Sequence, residues 1–127
     1  MERRVFAALA AGGHAELTPA KARLVARIGP GGTRLTDLAA QAQVTKQTAS
    51  SLADQLIRAG YLERAPDPTD GRARLLRLTS TGRAAADLAN RTADKVQSEW
   101  IDHLGKRSVA DLRKTLTALR EITDPYA

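Results

Sequence analysis

The residues from Leu35 to Gly82 constrain the fold more than any other part of the chain. Their pattern predicts a short helix, a tight turn, a longer helix and a two-stranded hairpin whose tip is Pro66–Arg72. Two helices at this spacing, followed by a charged hairpin, are typical of a shape that fits double-stranded DNA. The second helix would lie in the major groove, and the hairpin would reach the backbone and the neighbouring minor groove.

Capping residues predict where these two helices begin and end. Thr36 is the expected N-cap of the shorter helix, and Gln43-Val44 is the expected turn. Thr45 is expected to cap the longer helix, which runs to about Ala59 before Gly60 closes it.

The longer helix has an apolar face and a polar face. Its apolar residues follow the spacing i, i+3, i+4, i+7, so they are expected to be buried against the shorter helix: Ala49, Leu52, Ala53 and Leu56. The opposite face carries Gln47, Ser51, Asp54 and Arg58. Small polar side chains near the N-terminal end would allow close approach to base edges.

The hairpin is predicted from two short strands, 61–65 and 73–78, in which Arg74 shares a face with the leucines at 76 and 78. Pro68 suits the second position of a turn over 67–70. Asp70-Gly71 supplies residues that tolerate positive φ.

Further helices flank this region. One ends at Gly12-Gly13, and the next opens at Thr18-Pro19 and runs through Ile28. A long fifth helix is expected from Thr79 or Ser80 to Gly105, and Ser108 to Asp111 resembles a capping box for the sixth. Apolar residues then recur by three and four, as in a helix that packs on another helix: Val109, Leu112, Leu116 and Leu119.

The composition fits one domain with a polyanionic partner. The 127 residues include 20 lysines and arginines against 14 aspartates and glutamates, a net charge of +6. Aromatic residues are only 3% of the chain, which disfavours stacking on single-stranded bases. No secretory signal or apolar run of membrane-spanning length is present, so we expect a soluble cytoplasmic protein without membrane contact.

The sequence offers little for catalysis or metal binding. Cysteine is absent, which excludes disulfides and thiolate zinc sites. His14 and His103 lie 89 positions apart (103 − 14), so both are interpreted as ordinary surface or packing histidines. No serine has an evident histidine and carboxylate partner, and no glycine-rich phosphate loop occurs. We therefore expect neither an enzyme, nor a metal site, nor a cofactor.

The chain resembles the MarR family of bacterial winged helix-turn-helix transcription regulators from about residue 17 onward. The most specific part of the resemblance is the hairpin motif followed by Leu-Thr-x-x-Gly. The residues that carry it are Leu17-Thr18-Pro19-Ala20, Leu38-Ala39, Val44-Thr45-Lys46-Gln47-Thr48-Ala49-Ser50, Leu56-Ile57-Arg58-Ala59-Gly60-Tyr61-Leu62-Glu63-Arg64, Asp67-Pro68-Thr69-Asp70-Gly71-Arg72 and Leu78-Thr79-Ser80-Thr81-Gly82.

The resemblance implies a mainly α fold with a small β-hairpin wing. Residues 1–127 would form one domain, with the winged helix-turn-helix at about 30–83 and dimerisation helices at 1–16 and 84–127. A homodimer would place two recognition helices roughly 34–36 Å apart on a pseudo-palindromic operator. The expected function is a sequence-specific double-stranded DNA-binding regulator, acting as a repressor that a small aromatic or phenolic effector releases.

This sequence departs from the family at two places. Gln43 stands where the family's turn usually has glycine, so it is expected to adopt a left-handed conformation. The first helix, of about ten residues, is shorter than the family's usual one. Dimerisation is therefore expected to rest more on the fifth and sixth helices.

The resemblance also assigns candidate DNA-binding residues, which are Thr45, Lys46, Gln47, Thr48, Ser50, Ser51, Arg64, Asp70, Arg72 and Arg74. Gln47 and Ser51 are the candidates for base edges, and Arg72 for the minor groove. Asp70 is interpreted as an organiser of Arg72 or a partner of Arg64. Arg74 and Arg77 are candidate phosphate contacts.

Three alternatives stay open at this point. Any one of these arginines can instead form an ordinary surface ion pair. The winged helix can instead be a protein-interaction module that binds an acidic partner, although its polar face lacks an apolar anchor. Trp100 and Tyr126 fit either an effector pocket or, in the case of Trp100, the core of a dimer interface.

Overall fold

The computed structural model describes residues 1–126. It is mainly helical with one small sheet, which confirms the predicted fold class. The elements in chain order are α1 Glu2–Ala11, α2 Pro19–Ala26, β1 Thr33–Arg34, α3 Leu35–Ala42, α4 Lys46–Arg58, β2 Leu62–Asp67, β3 Asp70–Leu78, α5 Ser80–Leu104 and α6 Lys106–Thr123. None of these helices is long and apolar enough to cross a membrane.

The sheet has three antiparallel strands in the order β1-β3-β2. Strand β1 pairs Thr33 with Leu76 and Arg34 with Leu75. It was not predicted, because two residues after a glycine-rich stretch are too few to show an alternating pattern. The strand secures the start of α3 to the hairpin.

The hairpin is longer than predicted. Its pairing continues to Asp67 opposite Asp70, and Pro68 occupies the second position of the turn, as expected. The register shifts between Pro66 and Asp67, since Pro66 pairs with Arg74 and the next residue, Asp67, pairs with Asp70. The expected positive φ at Asp70-Gly71 is wrong, since neither residue adopts it. The tip closes instead with the shift in register, so its turn contains no left-handed residue.

The threonine caps at Thr18 and Thr45 form as predicted, and Thr79 caps α5, whose start was expected at Thr79 or Ser80. A threonine hydroxyl accepts the backbone N–H three residues later at Thr18, Thr45 and Thr79, over 3.3, 3.0 and 3.1 Å. The left-handed turn at Gln43 is also confirmed, with φ 58° and ψ 43°.

Two other predicted caps are wrong. Helix α3 begins at Leu35 without a side-chain cap, because β1 leads directly into it and leaves Thr36 inside the helix. Helix α6 begins at Lys106 rather than at Ser108, because Gly105 alone redirects the chain with φ 90°. Helix α2 ends at Ala26, two residues earlier than predicted.

The core joins the helix-turn-helix to α5. Leu24, Leu38, Leu56 and Tyr61 are almost completely buried. At Gly82 in the first turn of α5, an added Cβ would lie 2.2 Å from the Tyr61 carbonyl oxygen. Only glycine therefore permits α5 to begin against the end of α4, which explains the glycine of the Leu-Thr-x-x-Gly motif.

Candidate nucleic-acid interface

Helix α4 presents the polar face that its sequence predicts. Ala49, Ala53 and Leu56 are buried, and Leu52 is half-buried against the core. Their burial fixes the rotation of the helix and directs its other face outward. An open groove of about 660 Å³ follows this face and is lined by Leu35, Lys46, Gln47, Ser50, Ser51, Asp54 and Arg58.

The N-terminus of α4 is built to receive an anion. The Thr45 hydroxyl accepts the Thr48 backbone N–H over 3.0 Å and donates to the Thr48 hydroxyl over 2.9 Å. The N–H groups of Lys46 and Gln47 have no partner within the helix, because they belong to its first turn. Together with the helix dipole and the Lys46 charge, they favour a phosphate at this end.

Asp54 on this face is held by the wing. Arg64 of β2 donates to the Asp54 carboxylate over 2.7 Å. Of the two interpretations of Asp70, the one as a partner of Arg64 is therefore wrong, because the Arg64 guanidinium pairs with Asp54. Both side chains are about half-exposed, so the pair adds little stability. It does compensate the negative charge of Asp54 on the polar face of α4.

The wing tip carries two arginines without an internal partner. The Asp70 carboxylate accepts the Arg72 backbone N–H over 3.0 Å, which agrees with its expected organising role. Within residues 1–126, Arg72 and Arg74 form no ion pair, and both are exposed. Arg77 instead pairs with Glu63 over 2.9 Å, so for this arginine the alternative of an ordinary surface ion pair applies.

The structure distributes the predicted residues over two clefts that share Ser50, the N-terminal cap of α4 and the wing tip. A cleft of about 140 Å³ between α4 and the wing is lined by Ser50, Arg64 and Arg74, among others. Lys46, Gln47 and Ser51 lie along the main groove with Ser50. Thr45 and Thr48 form the cap at one end of α4, and Asp70 and Arg72 lie at the wing tip.

Several residues at this site were not predicted as functional. Asp54 and Arg58 line the groove, and the sequence signal for them is their place on the same polar face as Gln47 and Ser51. Arg34 also contributes, but its role depends on a contact 33 residues away, and no local pattern shows it.

Arg34 and Thr69 anchor the wing through Asp67, which is only 6% exposed. Arg34 Nε donates to Asp67 Oδ2 over 2.7 Å. The Thr69 backbone N–H and hydroxyl donate to Oδ1 over 2.9 and 2.7 Å. The two Thr69 hydrogen bonds, followed by the Arg34 contact, lower the pKa of Asp67 to about 2. The carboxylate is thus charged at neutral pH and fixes the base of the wing tip.

A second exposed face lies on α5 and α6 and is apolar. We call it the terminal apolar face, and it comprises Trp100, Leu104, Leu112, Leu116, Leu119 and Ile122. Trp100 is 41% exposed and Ile122 is 84% exposed. Three of them, Trp100, Leu112 and Leu116, line one groove between α5 and α6, and exposed apolar side chains that lie together mark an interaction surface.

His14 takes part in a hydrogen-bonded cluster with Tyr61 and Glu16. His14 Nδ1 lies 2.8 Å from the Tyr61 hydroxyl, which donates to Glu16 over 2.9 Å. Burial, followed by this bond to Glu16, raises the pKa of Tyr61 to about 12. No group of three metal-ligating side chains occurs within residues 1–126.

Comparison with known proteins agrees with this geometry. The model of the MarR family matches residues 15–73. The transcriptional activatory protein BadR of Rhodopseudomonas palustris is 30% identical over 93 residues, which cover 73% of this chain and 52% of BadR. The chain thus spans about half the length of this curated relative.

Solved structures share the fold over nearly the whole chain. The transcriptional regulator Tm0710 from Thermotoga maritima is 26% identical with a TM-score of 0.66, covering 93% of this chain and 84% of its own. FabT of Streptococcus pneumoniae, solved in complex with DNA, is 24% identical with a TM-score of 0.68, covering 82% and 73%. Sequence, fold and wing agree, and the chain belongs to the MarR family of winged helix-turn-helix transcription regulators.

Proposed function

We propose that this protein is a sequence-specific double-stranded DNA-binding repressor that acts as a homodimer in the bacterial cytoplasm. One observation carries the proposal: the polar groove of α4 shares Ser50 with a cleft that Arg74 of the wing lines, and Arg74 has no ion-pair partner within residues 1–126. Gln47 and Ser51 would meet base edges, and the α4 N-terminus would hold a phosphate. Arg72 would enter the minor groove.

The terminal apolar face supports the homodimer. Burial of its leucines away from water would stabilise a dimer by about 1.5–3 kcal/mol for each side chain that is fully buried. A two-fold axis would cover the same face of both copies and place the recognition helices roughly 34–36 Å apart. In this organisation, residues 30–83 bind DNA, and residues 1–16 and 84–127 hold the dimer.

An apolar cavity supports the proposal that a small aromatic or phenolic effector releases the protein from DNA. It has about 280 Å³ and lies between α1, α2 and α5, where Leu9, Val25 and Tyr61 line it with Ala85. Trp100 instead lines the groove between α5 and α6, which favours its role in the dimer interface. A ligand in the cavity would shift the equilibrium between dimer geometries only if it binds them unequally.

Repression follows from the position of a dimer on a promoter, which excludes the polymerase. The name of BadR describes an activator, so the direction of regulation needs its own measurement. A reporter driven by a promoter that carries the selected site would show repression as lower output when the protein is present. Higher output would identify an activator.

The experiment that tests DNA binding is selection of duplexes from a random pool, followed by fluorescence anisotropy at increasing salt. We expect a pseudo-palindromic site and an affinity that falls by about a thousandfold between 50 and 200 mM salt, as for six or more phosphate contacts. Phenolic acids added to the complex should weaken it. Failure to retain any duplex, together with retention of an acidic protein, would support the protein-interaction module instead.

A further inference from the structure

Helix α6 returns from the far end of α5 toward the DNA-binding part of the chain. It packs on α5, and Val109 is its one buried residue within the described chain. Because α5 has 25 residues, its length is roughly 37 Å at 1.5 Å per residue. A rotation of about 5° over that length displaces its end by roughly 3 Å, close to the rise of one base pair. Small changes at the start of α5 would therefore alter the spacing between two recognition helices.

The end of α6 contacts α2 through an ion pair. Arg27 donates to Asp124 Oδ2 over 2.9 Å, and these side chains are 30% and 15% exposed. Asp124 Oδ1 accepts the Tyr126 backbone N–H over 2.9 Å, and Arg120 lies 3.5 Å from Oδ2. The carboxylate is therefore held from three sides, which restricts it to one position.

This contact lies next to the turn of the helix-turn-helix. Arg27 is the C-cap of α2, and Gln43 is the left-handed turn residue before α4. Both line an open cleft of about 350 Å³, to which α6 contributes Thr123 and the chain after it contributes Asp124. Helix α5 thus connects to the helix-turn-helix at its start and to α6 at its end. The Arg27–Asp124 pair connects the end of α6 back to the helix-turn-helix.

We propose that Asp124 is a positioning residue that acts through Arg27 to fix the angle between the helix-turn-helix and the terminal helices. The inference rests on the proposed function, and it deepens it. In the dimer, this angle sets the distance between the recognition helices. The pair makes no contact with DNA itself in this account. It selects the half-site spacing that the dimer accepts.

The test compares duplexes that differ only in spacing. The wild type, D124N and D124E are measured on the selected site, on versions with one base pair added or removed between the half-sites, and on a single half-site. We expect D124N to bind the selected spacing about three- to tenfold more weakly, the range of a modest pairwise coupling, and to discriminate less between spacings. Affinity for the single half-site should stay unchanged, and D124E should retain most of the preference.

Two controls separate positioning from general damage. D111N removes a carboxylate from the same helix, where Asp111 forms no ion pair within residues 1–126, and it should behave as the wild type. R27M should reproduce D124N, and the double variant should be no worse than either, because both remove the same contact. Circular dichroism and sedimentation confirm that each variant stays folded and dimeric.

The outcomes distinguish this inference from the proposed function. Spacing preference that D124N leaves intact overturns the positioning role while DNA binding stands. Equal weakening of the half-site and the full site also overturns it, because that result describes a local effect on DNA contacts. A wild type that binds no duplex overturns both.

Discussion

Helices α4 and α6 are both amphipathic and both expose one face, but the chemistry of these faces is opposite. Helix α4 exposes amide, hydroxyl and charged groups over a buried row of alanine and leucine. Helix α6 buries Val109 alone and exposes Leu112, Leu116 and Leu119. A polar face is stable in water when no partner is bound. Exposure of an apolar face to water, in contrast, is unfavourable in free energy.

Under the proposed function, the difference indicates which of the two proposed contacts is permanent. A regulator must leave its DNA, so the face that meets DNA has to be stable when exposed. A dimer interface has no such requirement, and its leucines are stable only when a partner covers them. Variants of the terminal apolar face, the wing tip and the wing base should therefore lose different properties, in falling order of expected effect: dimerisation, DNA affinity and stability.

A charge in the terminal apolar face should separate the dimer. L116E places a carboxylate where each copy is expected to contact the other, and two-fold symmetry makes the change count twice. We expect the dimer dissociation constant to rise by at least about a hundredfold, which corresponds to roughly 2.7 kcal/mol. Sedimentation equilibrium measures it, and operator binding at nanomolar concentration should be lost with it.

Ala110 provides the matched control, because it is exposed on the same helix and lies about 120° or more around the helix axis from every α6 residue of the terminal apolar face. A110E introduces the same carboxylate and should remain dimeric. A dimer that survives L116E would show that the copies meet through another face. The comparison between α4 and α6 would then lose its basis.

Removal of the wing-tip arginine should weaken DNA binding without affecting the fold. Arg72 is exposed and has no ion-pair partner within the described residues, so R72A leaves nothing uncompensated in the free protein. We expect roughly tenfold weaker operator binding and a salt dependence smaller by about one phosphate contact. Anisotropy titrations at several salt concentrations measure both, with circular dichroism as the check on folding.

Arg77 is the matched control for Arg72, since it lies on the same strand but already pairs with Glu63. R77A should have a smaller effect on affinity. Equal losses for both variants would mean that the wing contributes only net charge. Unchanged affinity for R72A would remove the wing tip from recognition.

The sequence predicted those features that depend on neighbouring residues. The threonine caps, the left-handed Gln43 and the two faces of α4 all follow from spacing along one segment. The turn at Pro68 follows from its fixed φ. Each of these is a local property, so one sequence was enough to predict it.

The features that the sequence did not predict arise from contacts between distant segments. Thr36 fails as a cap because β1, which pairs with residues more than 40 positions away, sets the start of α3. Arg64 pairs with Asp54 rather than Asp70 because the wing folds back against α4. The ion pair between Arg27 and Asp124 joins residues 97 positions apart. No periodicity in a single chain encodes such pairs.

The smallest of the three effects is expected at the base of the wing, where stability should depend on pH through Asp67. Its pKa in the folded protein is about 2, below the usual 3.8, because Thr69 and Arg34 stabilise the carboxylate. Its contribution is therefore fully present above about pH 4 and is lost as the pH falls toward 2. D67N lacks this charge at every pH, so we expect it to be less stable than the wild type at pH 7.

Denaturant unfolding of the wild type and D67N between pH 7 and pH 2.5 measures this contribution. The difference between their free energies of unfolding should be constant from pH 7 to about pH 5 and should narrow below pH 4. In R34M the contribution of the Asp67 charge to the free energy of unfolding should be smaller but not absent, because Thr69 still donates two hydrogen bonds to the carboxylate. A difference that does not change with pH would mean that the Asp67 charge is not what anchors the wing. The rigid wing base would then have to come from β1, which pairs with the same strand as the wing.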